Sequence, residues 1–176
     1  MALLAEELVE EWLNRNGYFT IRGIKLGVHE IDILAIKLAG SKVEARHIEV
    51  QASSNPVSYL CPLSKRLQAK SGRKPQSTKT RSPKEITESA KEWIDKKYHL
   101  KRKHDLRQSL YRGEWKYELV LHKVKYIDEI EVVKKQGIHV LSLASIVKSM
   151  SSNKNTVIRS AAGTSLMELV EMDRKH

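Results

Sequence analysis

The stretch EIDILAIKLAGSKVEARHIEVQ, residues 30–51, decides the fold of this chain. It contains two apolar runs, Glu30 to Leu38 and Val43 to Gln51, joined by four residues that include Gly40. Two such runs with a short connection are typical of a β-hairpin. Each run also holds one acidic residue among apolar neighbours, Asp32 in the first and Glu49 in the second. A carboxylate in a strand costs stability unless it is solvated, paired or bound to a metal, so both residues are candidates for a functional site.

The residues before the hairpin predict a helix and one more strand. Apolar residues recur at helical spacing from Leu3 to Leu13, and Gly17 stands where such a helix would end. Tyr18 to Arg22 is rich in aromatic and β-branched residues and predicts a short strand, followed by a turn over Gly23 to Gly27. On the helix, Glu6 falls at the rim of the apolar face, whereas Glu7 falls on the solvent side.

The residues after the hairpin predict alternating helices and strands. Residues 52–82 predict a long mobile loop that orders on binding, with a short helix near Leu63 to Lys70. Ser82, Pro83 and Glu85 form a capping-box pattern, which predicts a helix from Pro83 to about Tyr98. The remaining predicted elements are a strand over 116–124, a helix over 127–136, a strand over 138–143, a helix over 144–150, a linker over 151–163 and a last helix from Ser165. This order predicts an α/β sandwich in which helices flank a mixed β-sheet.

Composition indicates one globular domain in a reducing compartment. The chain has 176 residues, of which 40% are hydrophobic, and its single cysteine, Cys61, cannot form an internal disulfide. Cys61 is expected to be a packed small side chain rather than a nucleophile. The start of the sequence lacks a basic signal-peptide pattern, and no run reaches the roughly 18 apolar residues of a membrane helix. We therefore expect a soluble, cytoplasmic protein that does not bind membranes.

Positive charge is concentrated in the middle of the chain. The formal net charge is +11, and residues 61–107 hold 15 basic and 5 acidic residues, whereas residues 1–60 hold 6 basic and 8 acidic ones. A basic segment beside an acidic one fits a cation-binding site in a protein that binds polyanions, with nucleic acid as the expected partner. A solvated basic loop without a partner is the alternative. The residues expected to contact nucleic acid are Arg22, Lys65, Arg66, Arg73, Lys74, Lys101, Arg102 and Lys103.

Four short motifs in order resemble the PD-(D/E)xK nuclease superfamily, and within it the branch of archaeal Holliday-junction resolvases. They are Ala5-Glu6 before Gly17-Tyr18, the basic Arg22, the run from Glu30 to Ala35 around Asp32, and Ile48-Glu49-Val50-Gln51. The resemblance covers about residues 5–52. It implies a restriction-endonuclease-like domain over residues 1–150 with a basic insertion at about 52–107, followed by a linker and C-terminal helix over 151–176.

The resemblance also implies a Mg²⁺-dependent endonuclease that hydrolyses DNA phosphodiester bonds, with Mn²⁺ as a substitute ion. Asp32 and Glu49 would ligate the metal, helped by the backbone carbonyl of Val50, and Glu6 would contribute through a water or a second ion. Gln51 stands where the family has a lysine. An amide can position water by hydrogen bonding but supplies no charge, and Lys37, Lys65 or His47 are candidates to compensate.

Other interpretations of the same residues stay open. Glu6 taken alone also fits a solvated helix charge, Glu30 a strand-edge charge, and Asp32 with Glu49 a structural ion pair with Arg22, Arg46 or Lys37. The alternative function is a nucleic-acid-binding module on a nuclease fold that has lost catalysis, motivated by Gln51. RNA is not excluded as the partner, and a branched substrate would call for a symmetric homodimer with two sites.

Overall fold

The computed structural model describes residues 2–52, 58–152, 156–157, 165 and 168. Its five strands are β1 (Phe19–Leu26), β2 (His29–Ala39), β3 (Lys42–Gln51), β4 (Trp115–Leu121) and β5 (His139–Ser142). Its helices are α1 (Ala2–Arg15), α2 (Lys65–Ser71), α3 (Pro83–Ile94), α4 (Lys101–Leu110), α5 (Ile127–Lys135) and α6 (Leu143–Ser152), with a π-helical turn (Asp95–His99) between α3 and α4. No helix among these residues is long and apolar enough to cross a membrane.

The strands form one mixed sheet in the order β1-β2-β3-β4-β5. The first three strands are antiparallel neighbours, as the predicted hairpin requires, while β3, β4 and β5 run parallel. Parallel strands need a crossover connection, which α3 and α4 provide between β3 and β4, and α5 provides between β4 and β5. The predicted fold class, a mixed sheet flanked by helices, is confirmed.

Helices cover the sheet with separate apolar clusters. Val9 and Leu13 of α1 and Ile146 of α6 pack with Ile33 and Ile48 of the central strands. A second cluster joins α3, the π-helical turn and α5 to β4, and its members include Ala90, Trp93, Tyr98, Leu119 and Val133. These layers hold the central strands rigidly between helices, so side chains at the ends of β2 and β3 have fixed positions.

Strand β1 is longer than the sequence predicts. The turn expected over Gly23 to Gly27 is wrong, because Ile24 pairs with Ile31 and Leu26 pairs with His29 across the sheet. The connection to β2 is a two-residue turn in which Gly27 has a φ of +68°, a conformation that glycine adopts without strain. Asp32 is therefore only three residues from the first residue of β2.

The segment after β3 is packed rather than loose in its described part. Tyr59, Leu60, Cys61 and Leu63 are all buried, and the buried carboxylate of Glu129 in α5 accepts hydrogen bonds from the backbone N–H of Leu60 (2.5 Å) and of Cys61 (2.9 Å). Residues 59–63 are thus packed against the core, contrary to the expectation of a loose loop, and the predicted short helix is confirmed as α2, whereas most of residues 69–80 are exposed. Residues 53–57, most of the predicted linker and most of the last helix lie outside the described residues.

Helix α3 begins at the predicted capping box, and helical backbone continues through the π-helical turn to His99, close to the predicted end at about Tyr98, but the next helix was not predicted. The Ser82 side chain accepts from the Glu85 backbone and the Glu85 side chain accepts from the Ser82 backbone. The helix then ends at Ile94, and α4 follows over residues expected to be a basic surface. Helix α4 has no apolar period, because the side chains that it buries at i, i+4 spacing are Lys103 and Arg107.

Candidate functional site

Asp32 and Glu49 lie side by side where strands β2 and β3 stop pairing. The last residues paired are Ile33 and Ile48, and Asp32 and Glu49 are the next residues on the two strands. The backbone N–H of Val50 donates to Oδ2 of Asp32 at 2.7 Å, a hydrogen bond that replaces the regular ladder at this point. The expectation that the hairpin brings these two carboxylates together is confirmed.

The Glu49 carboxylate is buried and fully engaged. Its side chain is 1% exposed, and Nζ of Lys97 donates to Oε2 at 2.6 Å. The other oxygen, Oε1, lies 3.0 Å from Nζ of Lys103 and 3.0 Å from Nε2 of His47. Two ammonium groups and an imidazole thus surround one carboxylate, which satisfies the rule that a buried charge must be paired and hydrogen-bonded.

His47 has one tautomer that fits its neighbours. Nη1 of Arg107 lies 2.9 Å from Nδ1 of His47, and because a guanidinium only donates, Nδ1 must be the acceptor. The proton is therefore on Nε2, which donates to Glu49. Burial and the charges of Arg107 and Lys103 together lower the pKa of His47 to about 4, against the opposing effect of Glu49. His47 is consequently neutral at physiological pH.

The two carboxylates have pKa values shifted in opposite directions. Burial and the negative charge of Glu49 raise the pKa of Asp32 to about 7, in spite of Lys97 and the Val50 N–H. Burial also opposes ionisation of Glu49, but the hydrogen bond from His47 and the charges of Lys97 and Lys103 outweigh it and lower that pKa to about 2. Glu49 is thus ionised at neutral pH, while Asp32 is divided between its protonated and ionised forms there.

Two more acidic residues border this pair. Burial and the charge of Glu30 raise the pKa of Glu6 in α1, and Glu49 also contributes to that rise. Glu6 is half-buried and Glu30 is exposed. The charges of Glu30 and Glu49 both act on the carboxyl group of Glu6, and the exposed position of Glu30 is compatible with a strand-edge charge.

Lys97 is the residue that sequence reasoning missed. Gln51 ends β3 and brings no charge. The ion pairs of Glu49 are with Lys97 and Lys103, and neither Lys37 nor Lys65, the two lysines expected to compensate for the missing charge, is among them. The positive charge comes instead from the π-helical turn, 46 residues after Gln51 in the sequence. Burial lowers the pKa of Lys97, but the charges of Glu49 and Asp32 outweigh it and raise that pKa, so the ammonium stays charged. A π-helical turn at a functional site is a recurring feature of proteins.

The cations expected to neutralise the carboxylates structurally are engaged elsewhere. Nε of Arg22 donates to Glu10 of α1 at 2.8 Å, and Nε of Arg46 donates to Glu118 at 2.8 Å. Nζ of Lys37 lies 5.5 Å from the centre of the Tyr18 ring. The structural ion pair proposed between Asp32 or Glu49 and these three residues is therefore wrong, since Lys97 and Lys103 take that place.

The residues predicted to bind nucleic acid divide into three groups. Lys103 is buried against Glu49, so the prediction that it contacts nucleic acid is wrong. Arg22, Arg66, Arg73 and Lys101 are in ion pairs with Glu10, Glu88, Glu85 and Asp105 respectively. Lys65, Lys74 and Arg102 are exposed, and the Arg102 guanidinium lies close to Gly27 in the β1–β2 turn. Trp93 and Tyr98, which precede Lys101 and Arg102 in the sequence, belong to the second apolar cluster.

The residues present fit a hard cation in part. Asp32 is compatible with a cation, because burial first and then the negative charge of Glu49 raise its pKa, and a bound cation would favour its ionised form. Within the described part of the chain no group of three or more His, Cys, Asp or Glu side chains is arranged to hold a metal. Mg²⁺ does not require such a group, since it commonly binds through one or two carboxylates, waters and substrate phosphates. Asp32 is the carboxylate that such an ion would find without an ammonium partner. Glu49 would ligate it together with the Val50 carbonyl only if an oxygen now held by Lys97 or by Lys103 and His47 were released.

Comparisons with known proteins add little. No protein-family model and no curated protein matches the sequence. Among solved structures, the crystal structure of protein of unknown function AF1548 is similar to this chain, with 13% sequence identity over 84% of this chain and 67% of that chain and a TM-score of 0.45. A similarity of this extent supports no statement about function.

Proposed function

We propose that this protein is a metal-dependent endonuclease that hydrolyses phosphodiester bonds in DNA. One observation carries the proposal: Asp32 and Glu49 adjoin at the end of a strand pair, and the ammonium of Lys97 lies on Glu49. Two carboxylates and one cation are the groups that phosphodiester hydrolysis needs, because charge develops on the phosphate and a water must be activated. The ordered motifs around Glu6, Asp32 and Glu49, which resemble the PD-(D/E)xK superfamily, support the same activity.

The proposal assigns each residue a task. Asp32, Glu49 and the Val50 carbonyl hold Mg²⁺ or Mn²⁺, and a bound ion of this kind would supply Lewis acidity and a water of lowered pKa. Glu6 orients a water at the edge of the site. Gln51, two residues beyond Glu49 on the same strand, positions the attacking water by hydrogen bonding.

Lys97 takes over the charge that Gln51 lacks. Its side chain is 32% exposed, whereas the side chains of Lys103 and Glu49 are 2% and 1% exposed, so Lys97 is the cation on Glu49 that a substrate phosphate can approach. A lysine ammonium is a compact point charge on a flexible stem, which suits contact with a phosphate oxygen. We assign to Lys97 the stabilisation of negative charge on the phosphate.

The surface near the site favours a polyanionic substrate. Arg102 at the start of α4 lies beside the β1–β2 turn, and that turn leads directly into the strand that carries Asp32. Lys65 and Lys74 extend the exposed positive charge along the segment that was expected to be mobile. Such exposed cations attract phosphate backbones and release counterions on binding.

The experiment that tests the proposal is cleavage of labelled linear, nicked, single-stranded and four-way DNA with Mg²⁺ or Mn²⁺. The natural protein is compared with Asp32→Ala and Glu49→Ala. We expect metal-dependent products from the natural protein and none from either variant, and the preferred substrate would identify the role. Intact DNA of every form at high protein concentration would contradict the proposal.

A second candidate, a nucleic-acid-binding module without catalysis, is favoured by one observation. Both oxygens of Glu49 already have partners in Lys97, Lys103 and His47, and Gln51 supplies no charge. This function predicts salt-sensitive DNA binding that Asp32→Ala leaves unchanged, and no cleavage in any metal. A single metal-dependent product that Asp32→Ala abolishes would exclude it.

A further inference from the structure

Lys103 makes a closed set of contacts inside the protein. Its ammonium lies 3.0 Å from Oε1 of Glu49 and donates to the backbone carbonyl of Lys97 at 2.7 Å. Lys97 in turn reaches Oε2 of the same Glu49 carboxylate at 2.6 Å. One carboxylate, two ammonium groups and one carbonyl therefore form a ring in which Lys103 touches both the carboxylate and the backbone that carries Lys97.

The backbone around Lys97 needs such a contact. The π-helical turn ends at His99, and Leu100 has φ −55° and ψ 135°, which breaks the helix before α4 begins. Carbonyl groups in the last turn of a helix have no partner within that helix. The Lys97 carbonyl accepts a hydrogen bond from the side chain of Lys103 in the next helix. Lys103 therefore links the π-helical turn to α4 and, through Glu49, to strand β3.

We propose that Lys103 is a positioning residue, whose buried ammonium clamps the π-helical turn against Glu49 and thereby holds the Lys97 side chain at the site. The inference rests on the proposed function for its catalytic consequence, but the clamp itself is a property of the folded chain. Lys103 does not reach substrate, because it is 1% exposed. It acts through Lys97, the exposed cation of the pair.

The catalytic consequence is tested by a double-mutant cycle in the full chain, with Lys97→Met, Lys103→Met and both together. If Lys103 acts through Lys97, Lys103→Met lowers kcat by about 10- to 100-fold with little change in KM, and adding it to Lys97→Met lowers kcat no further. Lys134→Met, which removes an exposed lysine of α5 that pairs with Glu131, is the control and leaves kcat unchanged. Effects of Lys97→Met and Lys103→Met that multiply would overturn the inference.

The clamp is tested without activity by amide hydrogen exchange. We expect Lys103→Met, and equally Lys103→Gln, to increase exchange over residues 95–100, and Lys97→Met to leave that exchange near its natural level, because the carbonyl contact persists. Unchanged exchange in both Lys103 variants would overturn the inference even if the protein cuts DNA.

Should both variants fail to fold, NMR of the natural chain decides: a coupling between Lys103 Nζ and the Lys97 carbonyl carbon supports the clamp, and its absence overturns it. Absent cleavage with the clamp intact would refute the proposed function alone.

Discussion

At Asp32 the surrounding protein opposes ionisation, first through burial of the carboxyl group and then through one charged neighbour. Glu49 keeps its charge because Lys97, Lys103 and His47 stabilise it, and that fixed negative charge adds to burial in raising the pKa of Asp32 to about 7. Carboxylates whose environments drive their pKa values apart are typical of sites that handle cations or protons. The asymmetry between Asp32 and Glu49 thus has consequences for stability that do not depend on any substrate.

Asp32→Asn is expected to stabilise the metal-free protein, and more so at pH 8 than at pH 5. A folded-state pKa of about 7 lies above the unfolded value of about 3.9, so the folded state holds the extra proton between these pH values and the stability of the natural protein falls as pH rises toward 7. Asparagine accepts the Val50 N–H without this penalty. The gain should grow by about 2 kcal/mol between pH 5 and pH 8, at 1.36 kcal/mol per pKa unit.

Urea unfolding in the presence of a chelator measures this difference. Asp128→Asn, at an exposed position of α5, serves as the control and should change stability equally at both pH values. A gain from Asp32→Asn that is the same at pH 5 and pH 8 would mean that Asp32 is ionised throughout this range.

The sequence was sufficient to find Asp32 and Glu49 but not their cations. Both carboxylates interrupt apolar strands, and the two strands are neighbours in a hairpin. The apolar pattern and the short connection therefore predict that Asp32 and Glu49 lie close together. Lys97 and Lys103 lie about 50 residues further along, in a run of lysines and arginines where nothing local distinguishes a buried ammonium from a solvated one. Only the packing of α4 against β3 selects them.

Among the elements, the segment from Tyr59 to Arg81 shows how a polar sequence can be fixed in place. Its backbone N–H groups at Leu60 and Cys61 donate to the buried Glu129 carboxylate, and the Arg81 guanidinium lies 3.9 Å from the centre of the Tyr59 ring. Nη1 of Arg81 also donates to the Cys61 carbonyl at 2.7 Å. These polar contacts, which apolar periodicity does not predict, add to the apolar contacts that Leu60 and Cys61 make in the second cluster.

Glu129→Ala is expected to release this segment. Each buried N–H group that loses its acceptor costs about 1–3 kcal/mol, so two such groups should free the segment to open locally. Limited digestion with trypsin should then cut after Lys65 or Arg66 much faster than in the natural protein. Glu131→Ala, on the exposed face of the same helix, is the matched control and should leave the digestion rate unchanged. Equal resistance of both variants would contradict the role of Glu129 as the anchor.

Helices and strands with a periodic pattern of apolar residues were predicted well, and the helix whose buried face is charged was not predicted. Helix α1, the β2–β3 hairpin, α5 and the capping box of α3 all follow from periodicity and local hydrogen bonding. Helix α4 was missed because its buried face consists of Lys103 and Arg107, which bind Glu49 and His47. Burial of these two residues depends on acceptors that come from β3, so no local rule could identify the helix.

For the whole molecule, the proposed binding of a polyanion depends on which of its many cations remain exposed. The segment 61–107 carries most of the excess positive charge, yet the structure engages part of it internally, through Lys97, Lys103 and Arg107 around the site and through surface pairs such as Arg66 with Glu88. The cations left for phosphate are fewer than the sequence count implies. Lys74 and Arg102 are among those that remain exposed.

Lys74→Ala and Arg102→Ala are each expected to weaken binding to duplex DNA and to reduce the slope of log K against log salt by about 0.9, the loss of one phosphate contact. Arg22→Ala, whose guanidinium is engaged by Glu10, should leave that slope unchanged. Fluorescence anisotropy with labelled DNA over a series of KCl concentrations measures all three. If Arg22→Ala changed the slope and Arg102→Ala did not, the DNA would bind on a face other than the one that carries Arg102.

The most direct test of the central claim, that Lys97 supplies the charge missing at Gln51, compares the metal-dependent cleavage rates of Lys97→Met and Lys96→Met. The two lysines are neighbours, but Lys96 pairs with Glu92 on the surface, so Lys96→Met controls for loss of charge alone. We predict that Lys97→Met lowers kcat by about 10²- to 10³-fold, that Lys96→Met retains the natural rate, and that Gln51→Lys added to Lys97→Met restores part of it. Equal, undiminished cleavage by both single variants would contradict the claim.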